Sequence, residues 1–230
     1  MFLFTASPSS AAGDTLRTKL IELAAQAKKT GELTPLRQFA QSGIDLENRG
    51  QAYLVLGYRQ YAAREFPAAG EDLRRSCQAA FSLADIACYY WALAAREAGK
   101  SEDVIEALES FRNRFPASPL RTKAAALLGE TLLKTARAEQ AIQMLAAEPR
   151  VRQEPELALL LAQAYRDAGK PAEAARTFQE IYYAFPATAE SRAAAEDLDR
   201  LRAELGENFP QASEEIRSAR AETLFNKSLP

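Results

Sequence analysis

The side chains best suited to chemistry are thinly supplied in this chain. Its 230 residues contain no histidine. That removes the commonest general base, the commonest metal ligand and any Ser-His or Cys-His nucleophile pair. Carboxylate pairs such as Glu102-Asp103 and Glu214-Glu215 fall on helical patterns, where adjacent acids form a solvated face. No glycine-rich stretch could cradle a phosphate. The basic doublets Lys28-Lys29 and Arg74-Arg75 sit among acids, and the net charge is −2, so nothing points to nucleic acid. Cys77 and Cys88 lie 11 residues apart in separate predicted helices. They could meet across a helix hairpin, but the expectation is two buried free thiols, and two thiols without histidine make a poor zinc site. The residues therefore predict a chain that is not itself an enzyme and carries no metal or cofactor.

The elements that hold these side chains are more informative. Alanine and leucine dominate an apolar fraction of 47%, which favours helices. Residues 155–186 read as two helices joined by a tight turn. Leu161, Ala162 and Tyr165 share a face of the first helix, and Ala174, Phe178 and Ile181 share a face of the second. Gly169-Lys170-Pro171 separates them, with glycine suited to a helix end and proline to a first turn.

The pattern recurs. A large residue precedes a small one at Leu56-Gly57, Trp91-Ala92, Leu128-Gly129 and Leu161-Ala162. Twelve residues after each small one stands Ala69, Val104, Ala141 or Ala174, and four further on Leu73, Leu108, Leu145 or Phe178. Successive units are 35, 37 and 33 residues apart (57 to 92, 92 to 129, 129 to 162). Small residues on facing helices let two backbones approach, while a single hairpin cannot bury its apolar face alone, so hairpins must stack.

Residues 1–14 are expected to be an unstructured tail. Their short apolar run, with no positive residue before it, makes a poor complete signal peptide. Asp14 or Thr15 is expected to cap a helix to about Lys29, ended by Gly31. A second follows from Pro35 to Gln41 and is closed by Gly43, so that 15–49 form a degenerate capping pair. Four repeats follow at about 50–84, 85–121, 122–154 and 155–188. Ala136 stands where the other turns have Gly99 and Gly169, and the third unit stops early at Glu148-Pro149. Thr188 is expected to cap a helix through Leu205, and Ser213 to begin another. Residues 189–230 read as the start of further repeats in a longer chain.

The large-small pairs, the compact residue twelve positions later, and the closing Phe115-Pro116 and Phe185-Pro186 resemble the tetratricopeptide repeat family over roughly residues 50–188. The resemblance implies an all-α, right-handed superhelical solenoid of stacked antiparallel helix hairpins, with the first helix of each pair lining a concave side. On that implication the concave candidates are Leu54, Tyr58 and Tyr61, then Tyr89, Leu93 and Arg96, then Lys123, Glu130 and Lys134, and then Glu156, Gln163 and Arg166. Tyrosine and arginine are side chains that dominate binding hot spots. The partner implied is a protein or peptide. A carboxylate clamp of lysine and asparagine is not expected, because Asn48, Asn113, Asn208 and Asn226 fall outside those positions.

The segment from Phe111 to Pro119, echoed from Ile181 to Thr188, is similar to the bacterial envelope branch of these repeats. The run from Ile181 to Leu201, followed by 219–225, resembles the N-terminal superhelical region of soluble lytic murein transglycosylases. That resemblance implies a periplasmic, non-catalytic scaffold whose peptidoglycan-cleaving domain lies beyond Pro230. Glu109-Ser110 and Glu190-Ser191 lack the glycine-bearing Met-Gln segment of that family's catalytic signature, so no catalytic residue carries over. The alternative is a stand-alone adaptor or envelope-assembly protein, with a cytoplasmic setting still open.

Overall fold

A computed structural model describes residues 8–42 and 44–228. These residues form helices joined by short turns, and no strand occurs among them. The chain divides into two compact units, residues 1–121 and 122–230. The first contains α1 (Pro8–Thr30), α2 (Thr34–Gln41), α3 (Leu46–Ala62), α4 (Phe66–Gln78), α5 (Ala84–Glu97), α6 (Ser101–Leu108) and the single turn α7 (Phe111–Arg114). The second contains α8 (Arg121–Lys134), α9 (Ala138–Ala146), α10 (Pro155–Asp167), α11 (Pro171–Ala184), α12 (Ala189–Leu205), a 3-10 turn at Gly206–Asn208 and α13 (Glu214–Ser228). Within each unit most helices pack against their neighbours in sequence, and α1 packs against α3, α3 against α5, α10 against α12 and α11 against α13 one step further on. This is the packing of an all-α helical-repeat solenoid.

The spacing by twelve has a direct physical cause. A Cβ built on Gly57 would lie 2.4 Å from Leu73 Cγ and 3.0 Å from the Leu73 backbone nitrogen. A Cβ on Gly129 would lie 3.3 Å from Leu145 Cδ1. The hairpin arms therefore touch at the small residue. Ala92 and Ala162 are fully buried at the same place in their hairpins. So are the residues that meet them: Ala69, Val104, Ala141 and Ala174, then Leu73, Leu108, Leu145 and Phe178, none more than 2% exposed.

The turns share one geometry. Arg64, Gly99, Ala136 and Gly169 all take φ between 57° and 72°. They are spaced 35, 37 and 33 residues apart (64 to 99, 99 to 136, 136 to 169), the same intervals as the large-small pairs. In each, the following amide reaches back five residues: Glu65 to Gln60, Lys100 to Ala95, Arg137 to Leu132 and Lys170 to Tyr165, at 2.8–2.9 Å. This satisfies carbonyls that the helix end leaves open. Glycine takes this backbone freely, whereas Arg64 and Ala136 hold it at a cost of roughly 1–2 kcal/mol each.

Two buried aspartates brace alternate helices. Asp72 on α4 is 1% exposed and accepts from Arg37 Nη1 and Nη2 of α2 at 3.2 and 2.8 Å, and from Arg75 at 3.1 Å. The Gln60 amide, oriented by these partners, donates to Asp72 Oδ2 and accepts from Arg37, each at 3.0 Å. Asp197 on α12 meets Arg166 of α10 at 2.9 Å and Arg200 at 3.0 Å. Both acids sit in an Asp-Leu-x-Arg run whose leucine, Leu73 or Leu198, is core. Each carboxylate is compensated by two guanidinium groups, which burial of a charge demands.

Three expectations are corrected. The first helix begins at Pro8, well inside the expected tail, and only residues 1–7 of that tail lie outside the described residues. Gly43, the expected stop after α2, also lies outside them. Cys77 and Cys88 are not free thiols but a disulfide with Cα atoms 4.6 Å apart. Cys77 is in the last turn of α4 and Cys88 in the second turn of α5, and the loop 79–83 brings the two helix faces together. Helical periodicity alone does not say that both cysteines point into that contact. Closing a loop of this length contributes roughly 2–4 kcal/mol by restricting the unfolded chain. The third correction is the cap of the first helix: Asp14 and Thr15 lie inside α1, which starts six residues before Asp14. The caps expected further on are present: Thr188 Oγ1 accepts from the Ser191 amide at 3.1 Å, and Ser213 Oγ from the Ile216 amide at 3.4 Å.

The contact at the small residues sets a measurable contrast. Gly57→Ala is expected to lower unfolding stability by roughly 1–3 kcal/mol, because the methyl cannot fit beside Leu73. Gly129→Ala meets the flexible ends of Leu145 and Leu160, so the helix-propensity gain of about 1 kcal/mol offsets most of the crowding. Chemical denaturation of both variants reads the difference, and equal losses would mean the two crossings are equally tight.

Candidate functional site

The first unit carries an exposed aromatic cluster built by three helices. Tyr58 and Tyr61 are one turn apart on α3, and Tyr90 comes from α5 in the next hairpin. The Tyr90 ring centroid lies 5.2 Å from Tyr58 and 5.6 Å from Tyr61, both edge-on. Tyr61 also meets Phe66, the first residue of α4, at 5.6 Å, and Tyr89 meets Tyr90 at 6.4 Å. The Arg64 guanidinium stands over Phe66 at 5.9 Å. Such edge contacts are each worth about 0.5–1.5 kcal/mol beyond the area they bury. The cluster thus joins α3 to α5 while leaving surface to solvent: Tyr58 is 46% exposed, and Tyr61, Tyr89 and Tyr90 are half-buried.

The chemistry of this patch is apolar contact area with polar tips. Among the described residues, the hydroxyls of Tyr58, Tyr61 and Tyr90 bond to no protein group. Burial, and then the neighbouring Tyr58 and Tyr61 phenols, push the Tyr90 hydroxyl above its ordinary value of 10.0. It therefore stays a neutral donor and acceptor across the physiological range.

The structure distributes the other candidates differently. Leu54 and Leu93 are half-buried on α3 and α5, the helices that carry the tyrosines. Arg96 is exposed near the end of α5 and lies 3.4 Å from Glu97. Lys123, Glu130 and Lys134 are exposed on α8 of the second unit, and Glu156 is exposed on α10. Gln163 is half-buried there. Arg166 is engaged inside its unit, bonded to Asp167 at 3.0 Å and to Asp197 at 2.9 Å. Partial burial opposes its charge, and these two acids more than restore it. Its guanidinium holds α10 to α12. Arg166 and Tyr61 occupy the same place in their repeats, five residues after Leu161 and Leu56. That position faces the next-but-one helix, and it is aromatic in one unit and ionic in the other.

Tyr90 was not among the candidates read from sequence, which placed Tyr89 there. Two adjacent tyrosines on one helix point about 100° apart, and only the packing of α5 on α3 and α4 selects the second. The signal available in sequence was the pair itself.

Among the described residues no three potential metal-binding side chains cluster, and no helix is long and apolar enough to cross a membrane. In the second unit an open recess of about 310 Å³ lies at the α8–α9 turn, bordered by Arg137, Glu139 and Asp167. It is a surface notch between turns.

Ionisation tests the cluster. Because the folded chain holds Tyr90 in its neutral form more strongly than the unfolded chain does, its contribution is whole below pH 10 and is lost as pH rises through the tyrosine range. Following tyrosinate absorbance against pH, Tyr90→Phe should remove a step of the folded protein that titrates above the ordinary value of 10.0. An unchanged titration would show that Tyr90 is not packed as described.

Residues 156–188, which are nearly all of α10, its turn and α11, match the family model described as tetratricopeptide repeat. No curated protein matches the chain at significant similarity. The earlier hairpins place their small residues, their left-handed turn residue and their core leucines as the matched one does. By the family match at α10–α11 and the common geometry of its hairpins, the protein is similar to the tetratricopeptide repeat family.

Proposed function

We propose that the protein is an interaction scaffold whose first unit docks an extended peptide segment of a partner protein on the Tyr58, Tyr61 and Tyr90 surface. The observation that carries this reading is the set of three edge-packed tyrosines with unbonded hydroxyls at an exposed site. Their rings are held by each other, so little side-chain freedom is lost on binding, and their hydroxyls can pair with peptide amides and carbonyls. Leu54, Leu93 and Arg96 extend the docking surface along α3 and α5.

Selection of a displayed peptide library on the purified protein tests this. Enriched peptides are expected to lose at least about tenfold in affinity to Tyr58→Ala and Tyr90→Ala, with melting little changed for the exposed Tyr58 variant. Peptides that bind both variants as tightly as the parent would remove the tyrosine surface from the reading.

A finer reading has the chain as the non-catalytic helical part of a peptidoglycan lytic transglycosylase, working in the periplasm. Its support is the likeness of 181–201 and 219–225 to that family's helical region and the Cys77–Cys88 disulfide, since such bonds persist in oxidising compartments. The scaffold reading gives this chain no bond-breaking role of its own. Incubation with purified peptidoglycan is expected to release no muropeptides, and their appearance would make the chain an enzyme. A full-length gene with no downstream catalytic domain would leave the adaptor reading and remove the transglycosylase one.

A further inference from the structure

The disulfide is not an isolated staple. Cys77 and Cys88 are 1% and 0% exposed. Arg114 of α7 lies against them. Its Nη1 is 3.6 Å from each of the two sulfurs, and its Nη2 donates to the Cys77 carbonyl oxygen at 2.7 Å. That carbonyl is one of those that the end of α4 leaves without a helical partner. The other face of the guanidinium lies 4.8 Å from the Phe115 ring. Four residues on, Ser118 Oγ donates to Asp85 Oδ2 in the first turn of α5 at 2.6 Å. The segment 111–118 is thus tied to the α4–α5 joint by contacts that include both sulfurs. The residues that follow Cys88 are Tyr89 and Tyr90, so the same joint sets where the aromatic ring of Tyr90 stands relative to α3.

We propose that the Cys77–Cys88 disulfide with Arg114 is a redox latch, closed when oxidised, that holds segment 111–118 and the first turns of α5. One N–H can serve both sulfurs only while a bond keeps them together. Two thiols in the same sealed space must move to van der Waals distance, and either α5 or the end of α4 yields. Arg114 then loses its shared seat and the segment lifts. The sulfurs are buried and Arg114 is one of the side chains set against them, so removing its guanidinium should quicken their reduction.

The step that opens it is exchange with a dithiol. A thiolate of the reductant attacks one sulfur, forms a mixed disulfide and expels the other cysteine as thiolate. The second thiol of the reductant then displaces the remaining cysteine. The reductant leaves as its own cyclic disulfide, and two electrons and two protons end on Cys77 and Cys88 as thiols. Control of partner docking by this latch rests on the tyrosine-surface reading; the latch itself does not.

Hydrogen exchange and thiol labelling of the full chain, with and without dithiothreitol and with no partner present, test the proposal. In the reduced protein, amides of 84–90 and 111–118 are expected to exchange at least about tenfold faster, with α1 and α2 unchanged. The double variant Cys77→Ser, Cys88→Ser should show the same pattern without reductant. Arg114→Gln should release labelled thiols at least about tenfold faster than the parent under dithiothreitol. Unchanged exchange in those segments, reduction no faster in Arg114→Gln, or loss of helix throughout the reduced chain would each overturn the latch. Only after a positive result does peptide affinity in the two redox states bear on docking, so failure of the latch leaves the tyrosine surface standing, and failure of the surface leaves the latch.

Discussion

Every hairpin here depends on two helix backbones approaching closely at one point. At Gly57 the approach is so tight that a single methyl would enter the Leu73 side chain, and Ala92, Gly129 and Ala162 mark the same crossing in the other repeats. Close approach lets Leu73, Leu108, Leu145 and Phe178 lie across the small residue and fill the groove completely. It also fixes the turn. Both arms reach the crossing in register only if the chain reverses in a set number of residues, and the left-handed residue with its five-back amide bond is the solution used four times. Arg64 and Ala136 pay for this geometry in backbone energy, which shows how strongly packing dictates it.

The hairpin is constant, but what joins one hairpin to the next is not. Between α3 and α5 the junction is aromatic, with Tyr61 and Tyr58 against Tyr90. Between α10 and α12 the equivalent position is Arg166, held by the buried Asp197. Aromatic edges and a compensated ion pair both hold helices at this distance. They differ in what they offer to solvent: the tyrosines keep apolar area and hydroxyls exposed, whereas the guanidinium is spent on its acids. The same fold position is therefore a candidate docking element in one unit and a brace in the other.

The α4–α5 joint couples these themes. Asp72 ties α4 back to α2 through Arg37, and the disulfide ties it forward to α5. The helix behind the aromatic cluster is thus anchored at both faces, by a charge network on one side and a covalent bond on the other. Rings held edge-on over a fixed backbone lose little freedom when a partner covers them, which is the physical condition for a small patch to bind well.

Local chemistry wrote the repeat plainly into the chain. The alternation of large and small residues, the offset of twelve, Thr188 and Ser213 as helix caps, and glycine at two of four turns all act within a few helical turns, so spacing alone carries them. The start of α1 at Pro8 was less legible, since a run of serine and alanine suits a tail as well as a helix. Which tyrosine of the pair 89–90 meets α3, that Cys77 and Cys88 face each other, and that Arg166 turns to Asp197 were decided only by the folded structure. Each is a question of rotation about a helix axis relative to a second helix. Helical periodicity gives a face to within a residue or so, but contact between specific side chains is set by the packing angle of neighbours 11 to 32 residues away (77 to 88, 58 to 90), and that angle exists only once the hairpins have stacked.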